Sequence, residues 1–191
     1  MEKEILRYDI LKELFNISIG KAASLLSDII SRKVLLNVPD IKIINMEDIK
    51  DNFESYFKRI LKGALMVSSV SFNGKLNGYA NLIFPAEKMR TFINLCLNNE
   101  EQVSIPDMNF TDMDFDIIKE IGNIILNSVV GEVGNSLSMN LSYTLPKVKV
   151  YDSIDFYTDI DTKGYHYMLL LYITFVIDNT EIKGAVIIDF T

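Results

Sequence analysis

An acid and an amide one helical turn apart occur twice in this chain. Residues 9–16 read DILKELFN and residues 116–123 read DIIKEIGN. Asp9, Glu13, Asn16 and Pro39 recur as Asp116, Glu120, Asn123 and Pro146, each 107 positions on (116 − 9, 120 − 13, 123 − 16 and 146 − 39). A carboxylate accepts a charge-assisted hydrogen bond from a cation, and a neutral amide both donates and accepts. Such a pair suits recognition and positioning. It carries no nucleophile–base pair, and the sequence offers no metal-ligand cluster or phosphate-binding glycine loop beside it.

The elements that present these residues are two long helices. At 100° per residue, Asp9, Glu13, Asn16 and Gly20 share one arc, away from an apolar face of Leu11, Leu14, Ala22, Leu25, Leu26 and Ile29. Asp116, Glu120, Asn123 and Asn127 share the corresponding arc, away from Ile118, Ile121, Ile125 and Val129. Thr111-Asp112-Met113-Asp114 reads as a capping box opening the second helix, roughly 112–137. Small residues (Gly20 and Ser24, then Gly131) leave room for another protein to come close.

Between the helices the periodicity changes. VLLNV (34–38) and IKIINM (41–46) read as short strands around Pro39. ALMVSSVSF and LNGYANLIF flank Asn73-Gly74, a two-residue hairpin signal. Residues 86–97 read as a helix opened by Pro85. The second half offers a strand near 141–150 and the hairpin YHYMLLLYITFVI, DNT, EIKGAVIIDF. It has no counterpart of helix 86–97. Helix, strands and hairpin thus occur twice in order, and an internal duplication is the simplest source.

Composition narrows the function classes. The 191 residues suit a single domain, and 49% hydrophobic content supports a substantial core. A net charge of −7 argues against nucleic acid and against a polybasic membrane surface. The apolar run at 165–177 is too short to span a membrane as a helix, and no secretory signal opens the chain. One cysteine, Cys96, excludes an internal disulfide and fits a cytoplasmic home. Cys96 reads as packing and His166, the one histidine, as a structural or rim residue.

The pattern Asp/Ser-x3-Glu-x2-Asn-x22-Pro, present twice, resembles the signature of the CheC/CheX/FliY phosphatases of bacterial chemotaxis. ELFNISIGKAASLLS and EIGNIILNSVVG carry the likeness most strongly. Two copies in a free-standing chain of this length point to the CheC branch. The resemblance implies an α+β fold: an antiparallel β-sheet with two long motif-bearing helices side by side under pseudo-twofold symmetry. It implies a single domain over 1–191 made of two pseudo-repeats, about 1–107 and 108–191. It implies hydrolysis of the phospho-aspartate of a CheY-like response regulator. Glu13 and Glu120 would then pair with a lysine of the regulator, and Asn16 and Asn123 would orient the attacking water. The divalent metal, Mg2+, would sit on the regulator, and this chain would need no cofactor or metal of its own. The receptor deamidase CheD is implied as a further partner, with Asp152 the nearest candidate for the family's contact aspartate, one residue further from the proline than the family spacing.

The first copy departs from the family in reading ELFN for EIGN, and helical phase sends Phe15 into the core. Two other readings stay open. One is a non-enzymatic module that binds a response regulator, CheD or the flagellar switch. The other makes the repeated face a homodimer seam.

Overall fold

The computed structural model describes residues 2–45, 47, 63–97, 109–152, 155–156 and 166–190. Helix α1 spans Glu2–Ile30 and buries Phe15, Ile19, Ala22, Ala23 and Leu26. Leu25 and Ile29, expected on the buried face, are 53% and 62% exposed. Each lies 100° round the helix from its neighbour, Leu26 or Ile30, and the stripe that packs follows those neighbours.

Strand β1 is continuous over Val34–Asn45 rather than two strands. Proline lacks the N–H a ladder needs, and the pairing accommodates Pro39 by a register shift between Asn37 and Asp40. Strands β2 (Ala64–Gly74) and β3 (Gly78–Pro85) form the first hairpin. Its turn is not the two-residue one expected at Asn73-Gly74. Those residues stay extended because Ser142 and Leu141 pair with them, so the chain reverses through residues 75–77. Helix α2 (Ala86–Cys96) follows at once, with Pro85 at its N-cap and Ala86, Met89, Phe92 and Ile93 buried.

Helix α3 runs Asp112–Ser136 from the expected capping box. The Thr111 hydroxyl accepts from the Asp114 N–H at 3.3 Å, and the Asp114 carboxylate accepts from the Thr111 N–H at 2.7 Å. Ile118, Ile121, Ile125 and Val129 are buried as their spacing requires. The strand expected near 141–150 is two, β4 (Leu141–Tyr143) and β5 (Lys147–Asp152), parted at Pro146. The second hairpin is β6 (Tyr167–Ile177) and β7 (Thr180–Phe190), turned by Asp178 and Asn179. The start of that segment at Tyr165, the acidic connector around Glu100 and Glu101, and the polar stretch 48–60 lie outside the described residues.

The antiparallel sheet has the order β1-β6-β7-β3-β2, and β2's far side takes both β4 and β5. Each single-strand position therefore borders the hairpin of the other half of the chain. Sheet alternation splits the core into two. Leu169, Leu171, Val186 and Ile188 face the helices, and Met168, Leu170, Ala185 and Ile187 pack on the opposite face with Phe156. Burial on both faces accounts for the unbroken apolar run of β6. Cys96 packs against the core half-buried, and burial pushes its thiol up to about 12 against the pull of Arg32. His166 is exposed at the start of β6, where its backbone N–H donates to the Phe190 carbonyl at 3.0 Å.

Candidate functional site

The two motif helices lie side by side, joined where the Ser18 hydroxyl donates to the Ser128 carbonyl at 2.6 Å. They meet the rest of the fold differently. Helix α3 lies against β2 so closely that a Cβ on Gly122 would stand 2.1 Å from the Ser68 Oγ. Glycine is the residue that permits that approach. The equivalent position in α1 holds Phe15, which is 3% exposed and fills space among the core side chains. Close backbone approaches of α1 run instead to β1 and α3.

Both acids are open to solvent. Glu13 and Glu120 are exposed, as are Asp9 and Asp116. The asparagines are both half-buried but differently engaged. The Asn16 amide nitrogen donates to the carbonyls of Lys12 (2.9 Å) and Val38 (3.2 Å), and its oxygen accepts from the Val38 N–H at 2.7 Å. Val38 has no partner in the β1–β6 register, because it falls in the shift that Pro39 imposes. Asn16 thus closes the gap in the ladder, and both its amide protons are spent.

Asn123 makes no such closure. Its oxygen accepts from the Asn127 amide at 2.9 Å, and among the described residues its own amide nitrogen donates to nothing. The residue that corresponds to Val38 is Leu145, which is 73% exposed in the break between β4 and β5. Pro146 is buried beside that break, whereas Pro39 is exposed. The second copy therefore presents an exposed carboxylate and, one turn on, an amide nitrogen with donors to spare.

The surroundings differ as well. Glu13 lies between Ile10 and Ile17, which are 51% and 49% exposed, whereas Ile117 and Ile124 beside Glu120 pack partly into the core. Asp152 is exposed at the end of β5, opposite Ala64 of β2 and away from the two pairs in sequence and in strand position. Among the described residues no three of His, Cys, Asp and Glu come together in a way that could hold a metal ion. No helix among them is long and apolar enough to cross a membrane. The Val38 peptide was not legible as a partner of Asn16. The fixed spacing from Asn16 to Pro39 was its one trace.

A helix pair lying on one antiparallel sheet defines a fold class that several solved structures share. The family model described as the CheC-like family matches residues 8–43, the span from the first motif helix through Pro39. The CheY-P phosphatase CheC of Bacillus subtilis (strain 168) is 25% identical over 158 residues, covering 82% of this chain and 70% of that protein. The crystal structure of Thermotoga maritima FliY superposes with a TM-score of 0.75 at 21% identity, covering 95% of this chain and 89% of that one. The FliM middle domain of Vibrio alginolyticus follows with a TM-score of 0.64 at 13% identity, covering 93% and 92%. These findings bear out the resemblance to the CheC-like family and the mixed fold of helices and antiparallel sheet.

Proposed function

We propose that this chain is an aspartyl-phosphate phosphatase for a CheY-like response regulator, and that Glu120 with Asn123 is its open site. The observation that carries this reading is the unspent amide of Asn123, one turn from an exposed carboxylate. Kinship with a CheY-P phosphatase supports the substrate class. An acyl phosphate is already activated, so catalysis reduces to holding water in line with the bond to phosphorus. Asn123 donates to or accepts from that water without adding charge beside the phosphoryl oxygens. Glu120 docks on a lysine of the regulator and fixes the register. The Mg2+ that neutralises the phosphoryl group belongs to the regulator. A hundredfold acceleration needs about 2.7 kcal/mol, within reach of one well-placed amide.

Glu13 and Asn16 form the second candidate site, and it works only when Asn16 gives up its bonds to Val38. The halves at about 1–107 and 108–191 are read as repeats of one unit, supported by the constant offset and by a sheet order in which each half borders the other's hairpin.

The test is phosphate release from phosphorylated regulator with Mg2+, with and without the protein. No acceleration with any matched regulator overturns the reading, and so does undiminished activity when Glu13, Asn16, Glu120 and Asn123 are all alanine. The likeness to a FliM domain favours one rival, a module that binds the regulator, CheD or the flagellar switch without hydrolysis. Asn123→Ala separates the two. It removes hydrolysis and leaves regulator binding nearly intact for an enzyme, and changes neither for a binding module.

A further inference from the structure

A side-chain amide can present its nitrogen or its oxygen, and the neighbour of Asn123 one turn on decides which. The Asn127 amide nitrogen donates to the Asn123 oxygen at 2.9 Å. Amides four residues apart on a helix are within reach of each other. The contact occupies the acceptor of Asn123 and leaves its donors turned away from Asn127.

Asn127 does little for the fold. Its own Oδ1 is buried and accepts from nothing among the described residues. A stranded buried acceptor lowers stability, and asparagine is a poor residue for a helix interior. The equivalent position of α1, 107 residues earlier, is Gly20, where a Cβ meets nothing within 4 Å. A side chain would fit there, yet the position is bare. The copy whose asparagine is held by Val38 has no second amide, and the copy whose asparagine is open has one.

We propose that Asn127 is a positioning residue for hydrolysis, fixing Asn123 as a hydrogen-bond donor. The inference rests on the phosphatase reading and narrows it. The Asn123 Nδ2–H donates to one lone pair of the attacking water, and the other lone pair points at phosphorus. The water oxygen bonds phosphorus, and the regulator's aspartate oxygen leaves with the electron pair. One water proton passes to a phosphoryl oxygen, and the products are the carboxylate and dihydrogen phosphate. Asn127 acts through Asn123 and touches neither water nor phosphate.

The test measures kcat and KM for phosphate release from phosphorylated regulator with Mg2+, using the full chain and its Asn127→Ala, Asn127→Asp and Asn127→Gln variants. Asn127→Ala should lower kcat about fivefold, the contribution of one neutral hydrogen bond, with KM within about twofold and no loss of thermal stability. Asn127→Asp can only accept, so it draws the Asn123 nitrogen toward itself and should lower kcat further. Asn127→Gln keeps the donor and should retain about half of the parent kcat or more. Orientation is also read without regulator, from the side-chain amide resonances of Asn123. They should shift in Asn127→Asp and exchange with water more slowly there than in the parent. Unchanged kcat in Asn127→Ala, a fully active Asn127→Asp, or Asn123 resonances that stay in place overturns the inference and leaves the phosphatase reading standing. No acceleration by the parent protein is a different result, the failure of that reading, and takes this inference with it.

Discussion

The two motif helices carry the same pattern of residues and put it to different uses. In α1 the asparagine reaches sideways into β1 and completes a strand that Pro39 interrupts. In α3 the asparagine stays on its own helix, held by Asn127, while the strand beside it breaks in two. The residue before each asparagine follows suit. Phe15 wedges α1 against the core, and Gly122 lets α3 lie on Ser68. The contrast teaches that a repeated motif specifies side chains without specifying their partners. A backbone gap opened by proline can absorb an amide that would otherwise face solvent. Asn16 is spent on the fold, whereas the amide nitrogen of Asn123 has no partner among the described residues.

The largest effect expected from breaking the comparison is at Phe15. Phe15→Ala leaves a cavity in a packed cluster and should cost about 3–4 kcal/mol in denaturant unfolding. At the equivalent site the opposite change hurts: Gly122→Ala drives a methyl into the Ser68 hydroxyl and should cost about 1–3 kcal/mol. A tolerant Gly122→Ala would mean that α3 does not lie as close to β2 as described.

Activity should split the copies next. Asn123→Ala is expected to lower regulator dephosphorylation about a hundredfold, equivalent to about 2.7 kcal/mol. Asn16→Ala, measured at a temperature where the variant is folded, should lower it less than about threefold. Equal losses would show that Asn16 leaves Val38 when the regulator docks. Stability reverses the order. Asn16→Ala strands the Val38 N–H and carbonyl and should cost about 2 kcal/mol, whereas Asn123→Ala should stay within about 0.5 kcal/mol.

The helix starts differ in the same sense by a smaller amount. Burial opposes the charge on Asp114, but the Thr111 N–H and hydroxyl and the Arg90 guanidinium outweigh it and hold the carboxyl below the usual carboxylate range. A depressed carboxylate stabilises the fold at pH values above its unfolded range. That contribution is lost as the pH falls through its folded value. Asp114→Asn should therefore cost about 1 kcal/mol near neutrality and nothing in strong acid, as expected for a lost cap. Arg7→Asn, at the equivalent place, should leave unfolding unchanged at either pH.

Much of this architecture was legible in the residues. The spacing of Ile118, Ile121, Ile125 and Val129 fixed the buried side of α3, and the TDMD box fixed its start. The two hairpins and the inward turn of Phe15 followed in the same way, whereas the side-by-side placement of the two long helices was implied by the family resemblance alone. Three features were not legible, all for one reason. The continuity of β1 through Pro39, the extension of β2 past Asn73 and the capture of Asn16 by Val38 are each decided by backbone groups of another segment. Backbone groups carry no signature in the amino-acid order. Leu25 and Ile29 were misplaced because two apolar residues in succession leave the face of a helix undecided until its neighbour chooses.

The smallest expected effect bears on what the exposed side of α1 is for. Gly20 sits in mid-helix, exposed, and a Cβ built on it meets nothing within 4 Å. Packing does not require this glycine, and glycine in a helix interior costs about 1 kcal/mol relative to alanine. Gly20→Ala should therefore raise stability by about 0.5–1 kcal/mol. It occupies the arc of Glu13, two turns on, where a docking protein would draw near. If the first copy receives a regulator, the added methyl should weaken regulator binding while the Asn123-dependent rate at saturation holds. If binding and rate both stay level while stability rises, the first copy serves the fold alone, and the division of labour between the two helices is complete.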